Sequence, residues 1–257
     1  MFRVALVLIS IFSAFKLNYS AFNYDVGARV IDKVSDFADE IRKASYLPYF
    51  LLDRHVLELG PFSPTTHQRV SQIIFFGTNV IYNVSMDGVY IGLETGEFLY
   101  YYSSGKVSWL AKPPKLQNPP LVLKYNMNPD GSVGPYIGNF TYDCRTRPWY
   151  KQAKAHGKPI WSTPYPNIGN NVPILTLAQP MYNVTASGQS YVVGVMGTDI
   201  YLTQISQFLA TAFSENNDRK VYIVDKNTMN LLGNSWGAPT SVDVNGQPVC
   251  IYSPNES

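Results

Sequence analysis

The sequence predicts an α+β fold, with helices at the N-terminal end followed by an antiparallel sheet and the start of a second sheet module. Three observations carry this. Apolar residues recur at three- and four-residue steps as far as Phe75, the spacing of one helical stripe. From Val80 the texture changes to short runs of β-prone residues separated by turn signals. After a last helical stretch, KVYIVDKNTMNLLGNS reads as strand, polar turn and strand, opening a new unit near the chain's end.

The N-terminus, MFRVALVLISIFSAFK, has one early arginine, an apolar run from Val4 to Phe15 and a closing lysine. That run fits a signal-peptide core or short anchor and falls short of the ~20 residues needed to span a bilayer. Residues 1–20 are therefore assigned to an export signal or anchor. Residues 21–79 form the helical region: Val26, Val30, Ile31, Val34, Phe37, Ala38 and Ile41 make the first stripe. Pro48 interrupts it, Tyr49 to Leu59 follow, and a third stretch after Pro64 runs through Val70, Ile73, Ile74 and Phe75. Residues 80–215 hold the sheet, in the runs VYIGLET, EFLYYYSS, KVSWLAK, LVLKYNM, PILTLAQPMY and SYVVGVMGTD, with a short helix at PWYKQAKAHG and a helix from Ile200 to Phe213. Residues 219–257 are too few to close a core of their own, so the chain reads as clipped within a second module.

Composition narrows the function. The 257 residues carry a net charge of +2 with no basic run, which argues against a nucleic-acid partner. Hydrophobic residues make up 46%, enough for a core, and the 19 tyrosines suit a binding surface because the ring packs while its hydroxyl bonds. N-x-[ST] sequons at Asn18, Asn83, Asn139, Asn183 and Asn255 agree with export. Cys144 and Cys250 could pair in an oxidising compartment, as one clamp and not a framework. The chain has no G-x-S-x-G, H-E-x-x-H or G-K-[ST] motif. His55, His67 and His156 lie in unrelated contexts and read as surface or capping residues, and Glu94 and Glu97 as exposed turn carboxylates. No metal ligands, cofactor or catalytic residues are nominated, and the expectation is that the chain is not an enzyme.

The stretch that stands out is YDCRTRPWY, residues 142–150. Pro148 suits the first helical position, where its missing N–H would be unpaired anyway. Arg147 then stands at the helix cap, with Trp149 and Tyr150 in the first turn. A helix start with a guanidinium and an indole donor suits a carboxylate. Asp199 has the alternative reading of an N-cap before Ile200, and Trp149 and Tyr165 that of core residues.

With RPWYKQA, WSTPY, LTLAQPMY and GVMGTDI in this order, the sequence resembles an extracellular double Cache sensor domain, and within it the amino-acid-binding subgroup. The resemblance covers roughly residues 25–257. It implies long N-terminal helices and a PAS-like antiparallel sheet (the Cache module), then a truncated second PAS-like module. Tyr142, Arg147, Trp149, Tyr150 and Tyr165 match the subgroup's spacing. Asp199 fills its late acidic position after a longer interval than usual. The resemblance implies that Arg147 and Trp149 bind an α-carboxylate, that Asp199 neutralises an α-ammonium, and that the three tyrosines supply hydroxyls and ring faces. It implies a cell-surface receptor with a small-molecule ligand, an amino acid, and a membrane attachment; homodimerisation is left open. The alternatives are a Cache-containing auxiliary channel subunit, a Cache sensor for an amine or organic acid, and, least supported, a secreted enzyme.

Overall fold

The computed structural model describes residues 3–9, 29, 31–43, 46, 64–76, 88–102, 107–111, 119–214, 219–225, 228–244 and 247–250. The elements are β1 (Arg3–Ile9), α1 (residues 31–43), α2 (Pro64–Phe75), β2 (Gly88–Leu93), β3 (Phe98–Tyr102), β4 (Val107–Ala111), β5 (Leu121–Met127) and β6 (Val133–Thr141). They continue with α3 (Pro148–His156), β7 (Ile160–Trp161), β8 (Tyr165–Pro166), β9 (Pro173–Val184), β10 (Ser190–Tyr201) and α4 (Leu202–Ala212), then β11 (Arg219–Asp225), β12 (Leu231–Asn234), β13 (Ser241–Val244) and β14 (Gln247–Cys250). Helices followed by a many-stranded antiparallel sheet make this an α+β, PAS-like arrangement. The stretch Tyr49–Leu59 lies outside the described residues. Among the described residues no helix is long and apolar enough to cross a membrane.

Two compact units divide the chain. The first holds residues 1–39, 163–175 and 200–257; the second holds 40–162 and 176–199. In the first, β11 pairs in parallel with β1 and antiparallel with β12, so part of the run assigned to the export signal is a strand here. Phe37 of α1 stacks on Phe208 of α4 at 4.1 Å, and Lys33 donates to the Ala212 carbonyl at 2.7 Å. The helix expected from Ile200 starts at Leu202 instead. Strand β10 runs on through Tyr201, whose N–H is capped by Gln204 Oε1 at 2.8 Å. Asp199 is therefore a strand residue and not an N-cap.

In the second unit the strand order is β6-β5-β4-β3-β2-β10-β9-β7, antiparallel from β6 through to β10. The runs GVYIGL and FLYYY are rich in β-branched and aromatic residues, which favour strands. Strand β6 was not anticipated. Its sequence, VGPYIGNFT, holds two glycines and a proline and shows no apolar alternation, and it sits at the sheet edge, where proline is tolerated.

Alternation along each strand gives the sheet two faces with different duties. On one face, Leu99, Tyr101, Ser108 and Leu110 are buried, and α2 covers them, its Phe75 ring edge-on to Tyr101 at 6.4 Å. His67 of α2 is 3% exposed and shares a 2.5 Å hydrogen bond through Nε2 with Ser108 Oγ, which lies 3.2 Å from Ser71 Oγ. The surface or capping reading of His67 thus fails, because a single polar residue on a helical stripe has no local signature of its burial; His156 does cap, against the Gln152 carbonyl. His55 lies outside the described residues.

Burial lowers the His67 pKa from 6.5 to about 4. Between these values the unfolded chain binds a proton that the folded one does not, so the contribution is full above pH 6.5 and lost as pH falls towards 4. The difference amounts to roughly 3 kcal/mol at most. Thermal unfolding between pH 7 and pH 4.5 should therefore show a falling midpoint that His67→Gln flattens.

Candidate functional site

The opposite face of the same sheet carries the residues singled out from the sequence. The turn before α3 is built first. Asp143 accepts from the Arg145 backbone N–H at 3.0 Å and from its guanidinium at 2.9 and 2.8 Å. These bonds hold the Asp143 carboxyl below its ordinary pKa. Arg145 also reaches the Glu94 carbonyl at 3.2 Å. The two arginines of YDCRTRPWY thus divide the work: Arg145 fixes the turn, and Arg147 is presented at its end. Arg147 is the N-cap of α3 in extended conformation, Pro148 follows at the first helical position, and no side chain caps the helix. Gly157 closes α3 in the left-handed region, φ 65°, as its sequence foretold.

Behind this turn stands Tyr142, buried, with the Arg147 Cζ 5.9 Å from its ring centroid and Phe98 at 4.8 Å. Burial raises the Tyr142 hydroxyl's pKa well above the ordinary value. The Arg147 charge and a hydrogen bond with Trp149 oppose the rise, and the Asp199 charge adds to it. The hydroxyl therefore lies within electrostatic reach of a cation and an anion at once. Trp149 and Tyr150 are both buried, their rings 5.3 Å apart. Tyr150 donates its hydroxyl to Glu94 Oε1 at 2.8 Å, and Lys154 holds the other carboxylate oxygen at 2.6 Å. Tyr150 thus presents its ring, with the hydroxyl already engaged.

Asp199, 3% exposed, accepts at Oδ1 from Tyr90 O–H at 2.5 Å and from Thr176 Oγ1 at 2.7 Å. Tyr90 in turn packs its ring against Trp149 at 4.8 Å and Tyr100 at 5.5 Å. Room for that ring comes from Gly197, its cross-strand partner, where a Cβ would lie 2.1 Å from Tyr90 Cε2. Tyr90 and Thr176 escaped the sequence reading. The signal available was the pattern Gly88-x-Tyr90-x-Gly92, a large ring between two glycines on one strand face.

The second unit thus brings Tyr142, Arg147, Trp149, Tyr150 and Asp199 together around Tyr90. Tyr165 belongs to the first unit, where it is buried and pairs with Ile174. Cys144 is a buried free thiol, its Sγ donating to the Glu97 carbonyl at 4.0 Å, and burial pushes its pKa to about 12. Gly92 makes space for this thiol and for the Trp149 ring. Glu97, read as exposed, is 3% exposed. Of the sequons, Asn139 and Asn183 are on the surface, and Asn18, Asn83 and Asn255 lie outside the described residues. Among the described residues no cluster of His, Cys, Asp and Glu could hold a metal ion.

This arrangement can receive a zwitterion. A guanidinium takes a carboxylate bidentately, a buried carboxylate takes an ammonium, and ring faces add cation–π attraction. Comparisons with known proteins bear on what such a site serves. Residues 100–207 match the family model for the methyl-accepting chemotaxis protein-like, first PDC sensor domain. No curated protein matches the chain. Among solved structures it is similar to the ligand-binding domain of Campylobacter jejuni chemoreceptor Tlp3 with 4-methylisoleucine, at 18% identity over 71% of this chain and 57% of that one, TM-score 0.45. It is similar to that of Pseudomonas aeruginosa amino acid chemoreceptor PctB with L-Gln, at 18% over 73% and 58%, TM-score 0.43. A third is the same organism's PctC with GABA, at 21% over 81% and 74%, TM-score 0.48. The chain spans less than three-fifths of the length of the first two. The family match agrees with the Cache resemblance read from the sequence: the matched residues 100–207 include Tyr142, Arg147, Trp149, Tyr150, Tyr165 and Asp199, while β2 with Tyr90 lies before them.

Proposed function

We propose that this sensor domain binds an amino acid and forms the extracytoplasmic part of a transmembrane receptor. The ligand's α-carboxylate sits against Arg147 and Trp149, its α-ammonium against Asp199, and Tyr142, Tyr150 and Tyr90 form the wall. Tyr165 enters through the sequence motif alone. The observation that carries the reading is the Tyr142 hydroxyl, whose ionisation is favoured by Arg147 and opposed by Asp199 in a buried setting. Opposite charges facing one buried aromatic wall match the two ends of an amino acid's backbone. Sensing then requires only that the ligand prefer one of two conformations of the domain.

The test is a thermal-shift screen of the twenty amino acids against the purified chain, with calorimetry on each hit. A bound ligand raises the unfolding midpoint by mass action, by about 2.7 kcal/mol of stability at a hundredfold excess over Kd. A folded protein that responds to none of the twenty would end this reading and direct attention to amines and organic acids.

A further inference from the structure

The aromatic wall extends past the residues assigned to the ligand's backbone. Cross-strand registers place Gly197, Tyr90, Tyr100, Trp109, Lys124 and Gly138 in one row over five adjacent pairings. Tyr100 stacks on Trp109 at 4.2 Å, and Phe140, 6.1 Å from Tyr142, meets Trp109 edge-on at 5.0 Å. The row thus runs from the Asp199 end of the wall to Trp109 and Lys124, and returns to Tyr142 through Phe140.

Among the described residues, two donors at its far end have no acceptor. The Trp109 indole Nε1 is buried without a hydrogen-bond partner, in a residue 8% exposed. The Lys124 ammonium lies 4.8 Å from the Phe140 centroid and 5.6 Å from that of Trp109, and among the described residues no carboxylate meets it. Buried donors are almost always matched, and an ammonium left over ring faces alone is a cation awaiting an anion. Nearby acids are matched elsewhere, Glu94 by Lys154 and Asp143 by Arg145. Along the wall the charges are then Arg147 and Lys124 against Asp199.

We infer that Trp109 and Lys124 form a side-chain subsite selecting an acidic amino acid, whose side-chain carboxylate accepts from the indole N–H and the ammonium. This rests on the proposed amino-acid site and names its ligand class. Two carboxylates and one ammonium complement two cations and one anion. A purely structural Lys124, covering the rings by cation–π attraction, would leave the Trp109 N–H unexplained.

Calorimetry on the full chain with L-glutamate, L-aspartate and L-norvaline tests the subsite, using Trp109→Phe, which keeps a stacking ring, and the half-buried Lys124→Gln. The wild type should prefer one of the acids over norvaline by at least about thirtyfold, the lower end of losing one partner of a charge pair. Lys124→Gln should bring that ratio close to one, and Trp109→Phe should lower it. Norvaline binding as well as both acids, or a ratio unmoved by Lys124→Gln, would overturn the subsite. If norvaline binds and Arg147→Ala removes it while no acid is preferred, the subsite alone fails. Silence from all three ligands and from the wider screen overturns the backbone site as well.

Discussion

Arg147→Ala is expected to abolish measurable binding of any amino acid that the wild type takes. Removing one partner of a desolvated charge pair costs about 2–5 kcal/mol, which is a loss of roughly thirty- to several-thousandfold in affinity. The helix should survive the change, because the Arg147 side chain makes no capping bond to α3 and Pro148 still sets the first turn. Far-UV circular dichroism should therefore be unchanged while the heat of binding disappears. Asp199→Asn should fall in the same range for a related reason. The amide oxygen can still accept from Tyr90 and Thr176, so the strand stays in place, but the ammonium loses its counter-charge. If both variants bind with wild-type affinity, the ligand does not sit where the sequence motif puts it.

Gly197→Ala carries the second large effect, on stability and binding together. Its Cβ would fall 2.1 and 2.6 Å from two atoms of the Tyr90 ring. That ring is confined by Trp149 and Tyr100, and its hydroxyl is bound to Asp199. Overpacking of this kind costs about 1–3 kcal/mol, and each kcal/mol lowers the midpoint by roughly 2–4 °C in a chain of this size. Displacing Tyr90 also withdraws a donor from the carboxylate proposed to meet the ammonium, so affinity should fall with the midpoint. An unchanged midpoint would mean that the Tyr90 ring is free to move aside.

Local chemistry decided which parts of this molecule could be read without coordinates. Pro148 and Gly157 delimit α3 because each has a conformational preference that acts on its own residue. The strands flanked by glycine and polar turns were legible for the same reason. Strand β6 was not, since an edge strand with Pro135 and two glycines is held by its partner β5 and not by a pattern of its own. At the site, Arg147, Trp149 and Tyr150 lie within one helical turn and could be grouped from the sequence. The partners of Asp199 could not, because Tyr90 stands 109 residues away in the chain and meets it only across the β2–β10 pairing. The same holds for Trp109 and Lys124, which no spacing rule connects to Arg147.

The sheet has one further consequence. Ser108, which holds His67 of α2, and Trp109, on the wall of the candidate site, are consecutive residues facing opposite ways. A ligand that shifts Trp109 by a fraction of an ångström acts on Ser108 through a single peptide plane, which does not bend readily. Thermodynamic linkage makes that exchange symmetric: whatever free energy the ligand gives to one seating of α2, a change in α2 returns to the ligand's affinity. Sensor and lever are then two sides of one strand, and a substitution at His67, well away from any ligand, should register as a change in dissociation constant.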